Sequence, residues 1–165
     1  MDKGIALLLM AAILDNTLNF TADITCDRDK IAYKKLEKIT SEYNYQDIYF
    51  RECQNYVESN LKDSIINDIK IEKDNKYLPE VIGQLTIWDI NKILEEKDTI
   101  KDIMSGYDKW VINIISLKDN KSYVLCSSKD VIDNFSKLFE CTIDNDIVIM
   151  DSKLRKEILK KSYVI

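Results

Sequence analysis

Three short segments of this sequence place charge where charge needs a partner. Asp15 directly follows the apolar run Gly4–Leu14, GIALLLMAAIL. If that run is helical, a carboxylate at its end faces the negative pole of the helix dipole and calls for a metal ion or a basic group. Lys76 closes the tripeptide Asp74-Asn75-Lys76, just ahead of the strand-like EVIGQL, and a lysine entering a sheet edge can meet a phosphate as a point charge. Arg155 and Lys156 lie in the basic run KLRKEILKK, where arginine offers a two-pronged fork to a phosphate and lysine a second charge. Taken singly, each has an ordinary explanation: a solvated aspartate that stops a helix, a solvated charge run, a basic tail. The tripeptide recurs as Asp119-Asn120-Lys121, so only context separates the two copies.

The rest of the composition narrows the chemistry. The 165 residues contain no histidine, which excludes imidazole catalysis and histidine-ligated metal. Four cysteines, Cys26, Cys53, Cys126 and Cys141, show no CxxC spacing and read as free thiols of a reducing cytoplasm. A formal net charge of -5 disfavours a general nucleic-acid binder. The Gly4–Leu14 run is too short to span a membrane and lacks the flanks of a secretory signal. It reads as a helix apolar on all sides, buried in a core or an interface.

These residues need elements to hold them. Asp15–Cys26 reads as a loop, and Asp27 and Asp29 suit the start of a helix carrying Ala32, Leu36 and Ile39. Further helices are predicted over Tyr45–Asn60 and about Leu61–Asp68. From Lys73 onward the texture changes. EVIGQLTIWD, WVINIISL, SYVLCSS and DIVIM read as strands, with a hairpin turn at Asp119-Asn120. Helices are expected over Ile90–Met104 and around Val131, Phe135 and Leu138, and a closing helix or turn over Ser152–Lys161. The fold class is therefore α/β: N-terminal helices followed by a small mixed β-sheet flanked by helices.

The order of the charged segments carries a resemblance. GIALLLMAAILDNTLNFTADITCDRD resembles the helix and loop that close the catalytic domain of DHH-family phosphoesterases of the second subfamily, which includes family II inorganic pyrophosphatases, prune-type proteins and exopolyphosphatases. KDNKYLPEVIGQLTIWDI, with Gln84 and Asp89 in matching places, resembles the opening of the DHH-associated C-terminal domain, and DSKLRKEIL its closing basic motif. The resemblance implies a division into residues 1–68, a helical remnant of the DHH catalytic domain, and residues 69–165, the substrate-binding domain. It implies Asp15 as a metal ligand and Lys76, Arg155 and Lys156 as a phosphate clamp. An ungapped match instead puts Asn16 at the ligand position, and both alignments stand.

The departures shape the functional expectation. The DHH motif is absent, and in the closing motif Leu154, Glu157 and Ile158 replace the usual residues while Arg155 and Lys156 survive. The chain thus reads as the C-terminal half of a manganese-dependent pyrophosphatase-like hydrolase, lacking most metal ligands and inactive alone. Whether it is an excised fragment, a truncated gene product or a natural half-protein is open. Manganese or magnesium would bind only together with the missing DHH domain, and none is expected on this chain by itself. Expected partners are a phosphate-containing small molecule and either a DHH-bearing polypeptide or a second copy, docked through the Gly4–Leu14 helix. The alternative is a non-catalytic phosphate, nucleotide or protein-binding module.

Overall fold

The computed structural model describes residues 1–164, in two compact units, Met1–Cys53 and the described residues from Gln54 onward. The first unit contains α1 (Lys3–Thr17) and α2 (Asp27–Thr40), and α3 (Tyr45–Ser59) runs across the division. Asp2 caps α1 by accepting from the Ile5 N–H. α1 buries one stripe, Ala6, Met10 and Leu14, at the four-residue spacing of a helix face. The expectation of burial on all sides is corrected here: Leu8 is 72% exposed, and Ile5 and Leu9 also face solvent. Apolar residues occupy every face of this helix, while α2 packs on its Met10 side, with Thr40 against the Met10 sulfur. α2 starts as its acidic first turn predicts, the Asp29 carboxylate accepting from the Cys26 N–H at 2.9 Å.

The second unit is a six-stranded mixed sheet in the order β1-β2-β3-β4-β6-β5, built from β1 (Lys70–Ile71), β2 (Val81–Ile87), β3 (Trp110–Ser116), β4 (Lys121–Cys126), β5 (Cys141–Asp144) and β6 (Ile147–Asp151). β2 and β3 are parallel, joined by a crossover through α5 (Asn91–Glu95) and α6 (Lys97–Met104), and the other pairings are antiparallel. The predicted Ile90–Met104 helix is broken at Glu96, which adopts φ -89 and ψ 14, outside helical geometry. β3 is buried along its whole length, as a strand covered on both faces must be. One face packs Ile112, Ile114, Leu85 and Ile87 against α5, α6 and α4 (Leu61–Asn67). The opposite face packs Ile82, Val111, Val124 and Val148 against α7 (Lys129–Ser136) and α8 (Arg155–Ser162). Each fully buried Ile or Phe there contributes about 1.5–3 kcal/mol of transfer free energy.

The two strands that the sequence reading lacked, β1 and β5, are the two edges of the sheet. Both are short and exposed, so neither carries the apolar alternation that marks a half-buried strand. β5 is joined to β6 through Asn145 and Asp146, both at positive φ, the combination that a two-residue hairpin turn requires.

Gly83 lies opposite Ile112 across the parallel pair, and a Cβ built on it would meet the Ile112 Cδ1 at 2.5 Å. Gly83→Ala should therefore destabilise the fold by about 1–3 kcal/mol through overpacking, although alanine is the better strand former. Urea unfolding monitored by circular dichroism measures this, and an unchanged midpoint would show that the Ile112 side chain moves aside freely.

Candidate functional site

The first unit holds Asp15. Helix α1 runs on to Thr17, so Asp15 sits within its last turn rather than after it. The compensating partner is the Tyr49 hydroxyl, which donates to the Asp15 carboxylate at 2.7 Å. Tyr49 stacks on Tyr45. Partial withdrawal from water pushes the Asp15 carboxyl above its usual value, outweighing the downward pull of the Tyr49 hydrogen bond. The Tyr49 hydroxyl is itself pushed up, first by desolvation and then by the Asp15 carboxylate that it serves. Asn16, the alternative ligand position, donates its amide to the Ala12 carbonyl at 3.0 Å.

Three successive residues after α1, Leu18, Asn19 and Phe20, adopt left-handed backbone with φ of 47, 57 and 66. None is glycine, and the conformation costs an ordinary L-residue roughly 1–2 kcal/mol. The turn is held by many contacts at once. Leu18 is fully buried, Thr17 accepts from the Phe20 N–H, Thr21 donates to the Leu18 carbonyl, and the Gln46 amide donates to Asn19. Phe20 packs edge-on against Tyr33. Strain of this kind persists only where its surroundings over-determine it.

Among the described residues no group of three or more histidine, cysteine, aspartate or glutamate side chains is placed to hold a metal ion. A hard divalent cation asks for about six oxygen ligands. Asp15 supplies one carboxylate, already bound by a phenol, so the residues present do not by themselves fit a manganese or magnesium centre.

The second unit holds Lys76, Arg155 and Lys156. Arg155 opens α8, and its position is fixed by a polar row on the sheet. Gln84 of β2 and Asn113 of β3 are register partners, and Ser122 of β4 lies on the same face. Gln84 Oε1 accepts from the Arg155 N–H at 2.6 Å, Asn113 Nδ2 donates to the Lys153 carbonyl at 2.8 Å, and Ser122 Oγ accepts from the Lys153 N–H at 3.1 Å. Glu157 reaches back to the Leu154 N–H at 2.7 Å, while its other oxygen and Asn113 Oδ1 are buried without a hydrogen-bond partner among the described residues. Ser152 donates to Asn120 Oδ1 at 2.7 Å. The backbone entering α8 is thereby bound residue by residue.

The Arg155 guanidinium does not stand open. Its Nη1 and Nη2 meet the two Asp68 carboxylate oxygens at 3.0 and 3.3 Å, and Nη1 also donates to the carbonyls of Asp68 and Ile82. Lys156 follows, exposed on the first turn of α8. Lys76 occupies the loop between β1 and β2, its ammonium 5.1 Å from the centroid of the Tyr77 ring. Its neighbour Asn75 folds that loop by accepting from the Tyr77 and Leu78 N–H groups, and donates to Ser162 at 2.7 Å. That contact ties the loop to the far end of α8, about 10 Å of helix rise from Arg155. Arg155 and Lys156 are thus adjacent, Lys76 lies toward the opposite end of the same helix, and Asp15 belongs to the other unit.

Sequence reasoning flagged Gln84 but missed Asn113, Ser122 and Asp68. Asn113 was findable: it is a fully buried amide inside the apolar run WVINIIS, where an amide needs a bonding reason. Asp68 offered no such signal.

Comparison with known proteins fits this fold. No family model matches the sequence. A probable manganese-dependent inorganic pyrophosphatase of Staphylococcus carnosus (strain TM300) is 28% identical over 156 residues, which cover 88% of this chain and 49% of that protein. A second, from Lactobacillus helveticus (strain DPC 4571), is 25% identical over 171 residues, covering 99% of this chain and 54% of that protein. A crystal structure from Methanococcus jannaschii, assigned to the family II inorganic pyrophosphatases, superposes with a TM-score of 0.74 at 22% identity, over 99% of this chain and 57% of the other. At that identity the structural likeness establishes the fold. The chain spans about half the length of the curated relatives it matches.

Replacing Gln84 by leucine removes the acceptor for the Arg155 N–H and should cost about 1–3 kcal/mol of stability. Urea unfolding of the Gln84→Leu variant measures it, and a loss below a few tenths of a kcal/mol would mean that the Gln84 contact does not anchor α8.

Proposed function

We propose that this chain is the phosphate-binding C-terminal half of a metal-dependent phosphoesterase of the pyrophosphatase type, completed by a DHH-bearing polypeptide. The observation that carries this reading is a likeness running over 88% and 99% of this chain, yet over only about half of relatives named as manganese-dependent pyrophosphatases. In this reading residues 1–68 are what is present of the catalytic domain and residues 69–165 the substrate-binding domain. Lys76, Arg155 and Lys156 neutralise phosphoryl oxygens, a role that needs positive charge held in place before the substrate arrives. The polar row beneath α8 supplies that placement for Arg155.

Manganese or magnesium belongs to the assembled protein, with Asp15 the one ligand from this chain. The exposed Ile5, Leu8 and Leu9 side of α1 is the surface through which the DHH-bearing partner docks, since exposed apolar area of this kind marks an interaction site. A net charge of -5 argues against nucleic acid as the partner. No helix among the described residues is long and apolar enough to cross a membrane; a cytoplasmic setting is part of this reading. A second reading, a binding module without catalysis, draws on the Asp68–Arg155 pairing, because the fork is already engaged within the chain.

Calorimetry of the purified chain with pyrophosphate, without added metal, should show binding that a Lys76→Ala, Arg155→Ala double variant loses. Manganese-dependent phosphate release by the chain alone should not exceed buffer, and should appear on co-expression with a DHH-bearing partner. Hydrolysis by the isolated chain would sink the half-protein reading, and pyrophosphate binding unaffected by the double variant would sink the proposed clamp.

A further inference from the structure

The phosphate reading treats Arg155 as an available cation, but the structure shows it already holding an anion. We infer that Asp68 sets the anion selectivity of this site by occupying the Arg155 fork, so that a phosphate binds there only by displacing an internal carboxylate. The inference rests on the proposed phosphate-binding role of Arg155 and adds a residue to it.

The geometry is that of a ligand in place. Two guanidinium nitrogens meet two oxygens of one acid at 3.0 and 3.3 Å, the paired arrangement that two phosphate oxygens would adopt on the same fork. The pair is asymmetric in both exposure and attachment. The Arg155 side chain is 23% exposed and the Asp68 side chain 44%, so a solute reaches the acid first. The Arg155 guanidinium stays when the carboxylate leaves, because Nη1 also donates to the main-chain carbonyls of Asp68 and Ile82. The Asp68 main chain stays in place at the C-terminal cap of α4, its N–H donating to the Ile65 carbonyl and its own carbonyl accepting from Arg155 Nη1, so displacement needs only its short, more exposed carboxylate to rotate away.

A fixed cation with a releasable singly charged anion discriminates by charge. A singly charged solute gains little by replacing Asp68, whose effective concentration at the fork is high. A di- or polyphosphate brings more charge to Arg155 and to the neighbouring Lys156, and the Coulomb gain scales with that charge. The expected specificity is for multiply charged phosphate esters or anhydrides over carboxylates and other monoanions, at an affinity lowered by the fraction of forks that Asp68 keeps closed.

The test is calorimetric titration of pyrophosphate, without metal, into the wild-type chain and the Asp68→Asn, Arg155→Ala and Lys76→Ala, Arg155→Ala variants. Asp68→Asn should bind about three- to tenfold more tightly than wild type, the factor expected for removing a half-exposed ionic competitor. Arg155→Ala should lose most of the binding. Equal or weaker binding by a folded Asp68→Asn variant, with wild-type binding still sensitive to the double variant, overturns the role of Asp68 and leaves the phosphate reading standing. Absence of binding in every protein overturns both. Should Asp68→Asn fail to fold, the wild-type chain decides. The Arg155 side-chain nitrogen signals in a proton–nitrogen correlation spectrum should shift as pyrophosphate saturates, and signals unmoved at saturation overturn the displacement.

Discussion

Everything proposed for the second unit depends on how the sheet grips the backbone entering α8. Three side chains on three adjacent strands, Gln84, Asn113 and Ser122, bind the main chain of Lys153 and Arg155 directly. Hydrogen bonds withdrawn in part from water are costly to lose, because the freed backbone group is poorly resolvated. The parallel pairing of β2 with β3 sets Gln84 beside Asn113, and the close approach allowed by Gly83 opposite Ile112 belongs to the same register. The α8 start therefore inherits the rigidity of the most buried strands in the molecule.

That rigidity explains why charge is distributed as it is. Arg155 is immobile at its backbone and paired at its guanidinium, whereas Lys76 rides on a loop pinned through Asn75 to the other end of the helix. A cation anchored in the fold and paired with a half-exposed internal carboxylate is suited to recognising a ligand of higher charge. In the first unit a different constraint operates. There, the left-handed run Leu18–Asn19–Phe20 is stabilised by side chains around it, and Asp15 is satisfied by a phenol rather than by a cation. Both units spend stability on placing charged groups, a pattern associated with functional sites.

The legible part of this protein was the part written in apolar periodicity. The central strands and the turn at Asn120 could be read from WVINIIS, SYVLCSS and the residues between them, and the covering helices from the spacing of Ile93, Ile100, Val131 and Phe135. β1 and β5 could not, because a two-residue exposed strand and a polar edge strand carry no such pattern, although Asn145-Asp146 did hold a hairpin signal. The Gly4–Leu14 run showed the converse problem. Its apolar residues predict burial all round, but composition does not say how much of a helix its neighbours cover. Of the site, the basic residues were visible by type and order. Their anchoring by Asn113 and Ser122, and the pairing of Arg155 with Asp68, arise from contacts between segments about 30 to 90 residues apart, which spacing alone does not encode.

Native-state amide hydrogen exchange of Arg155 tests the anchoring most directly. Its N–H lies at the first position of a helix, where an amide ordinarily has no partner within the helix and exchanges quickly. If Gln84 holds it as the structure shows, the Arg155 amide should be protected to near the level of the β3 amides, and that protection should vanish in Gln84→Leu. Exchange as fast as at the exposed Asn145-Asp146 turn would contradict the account.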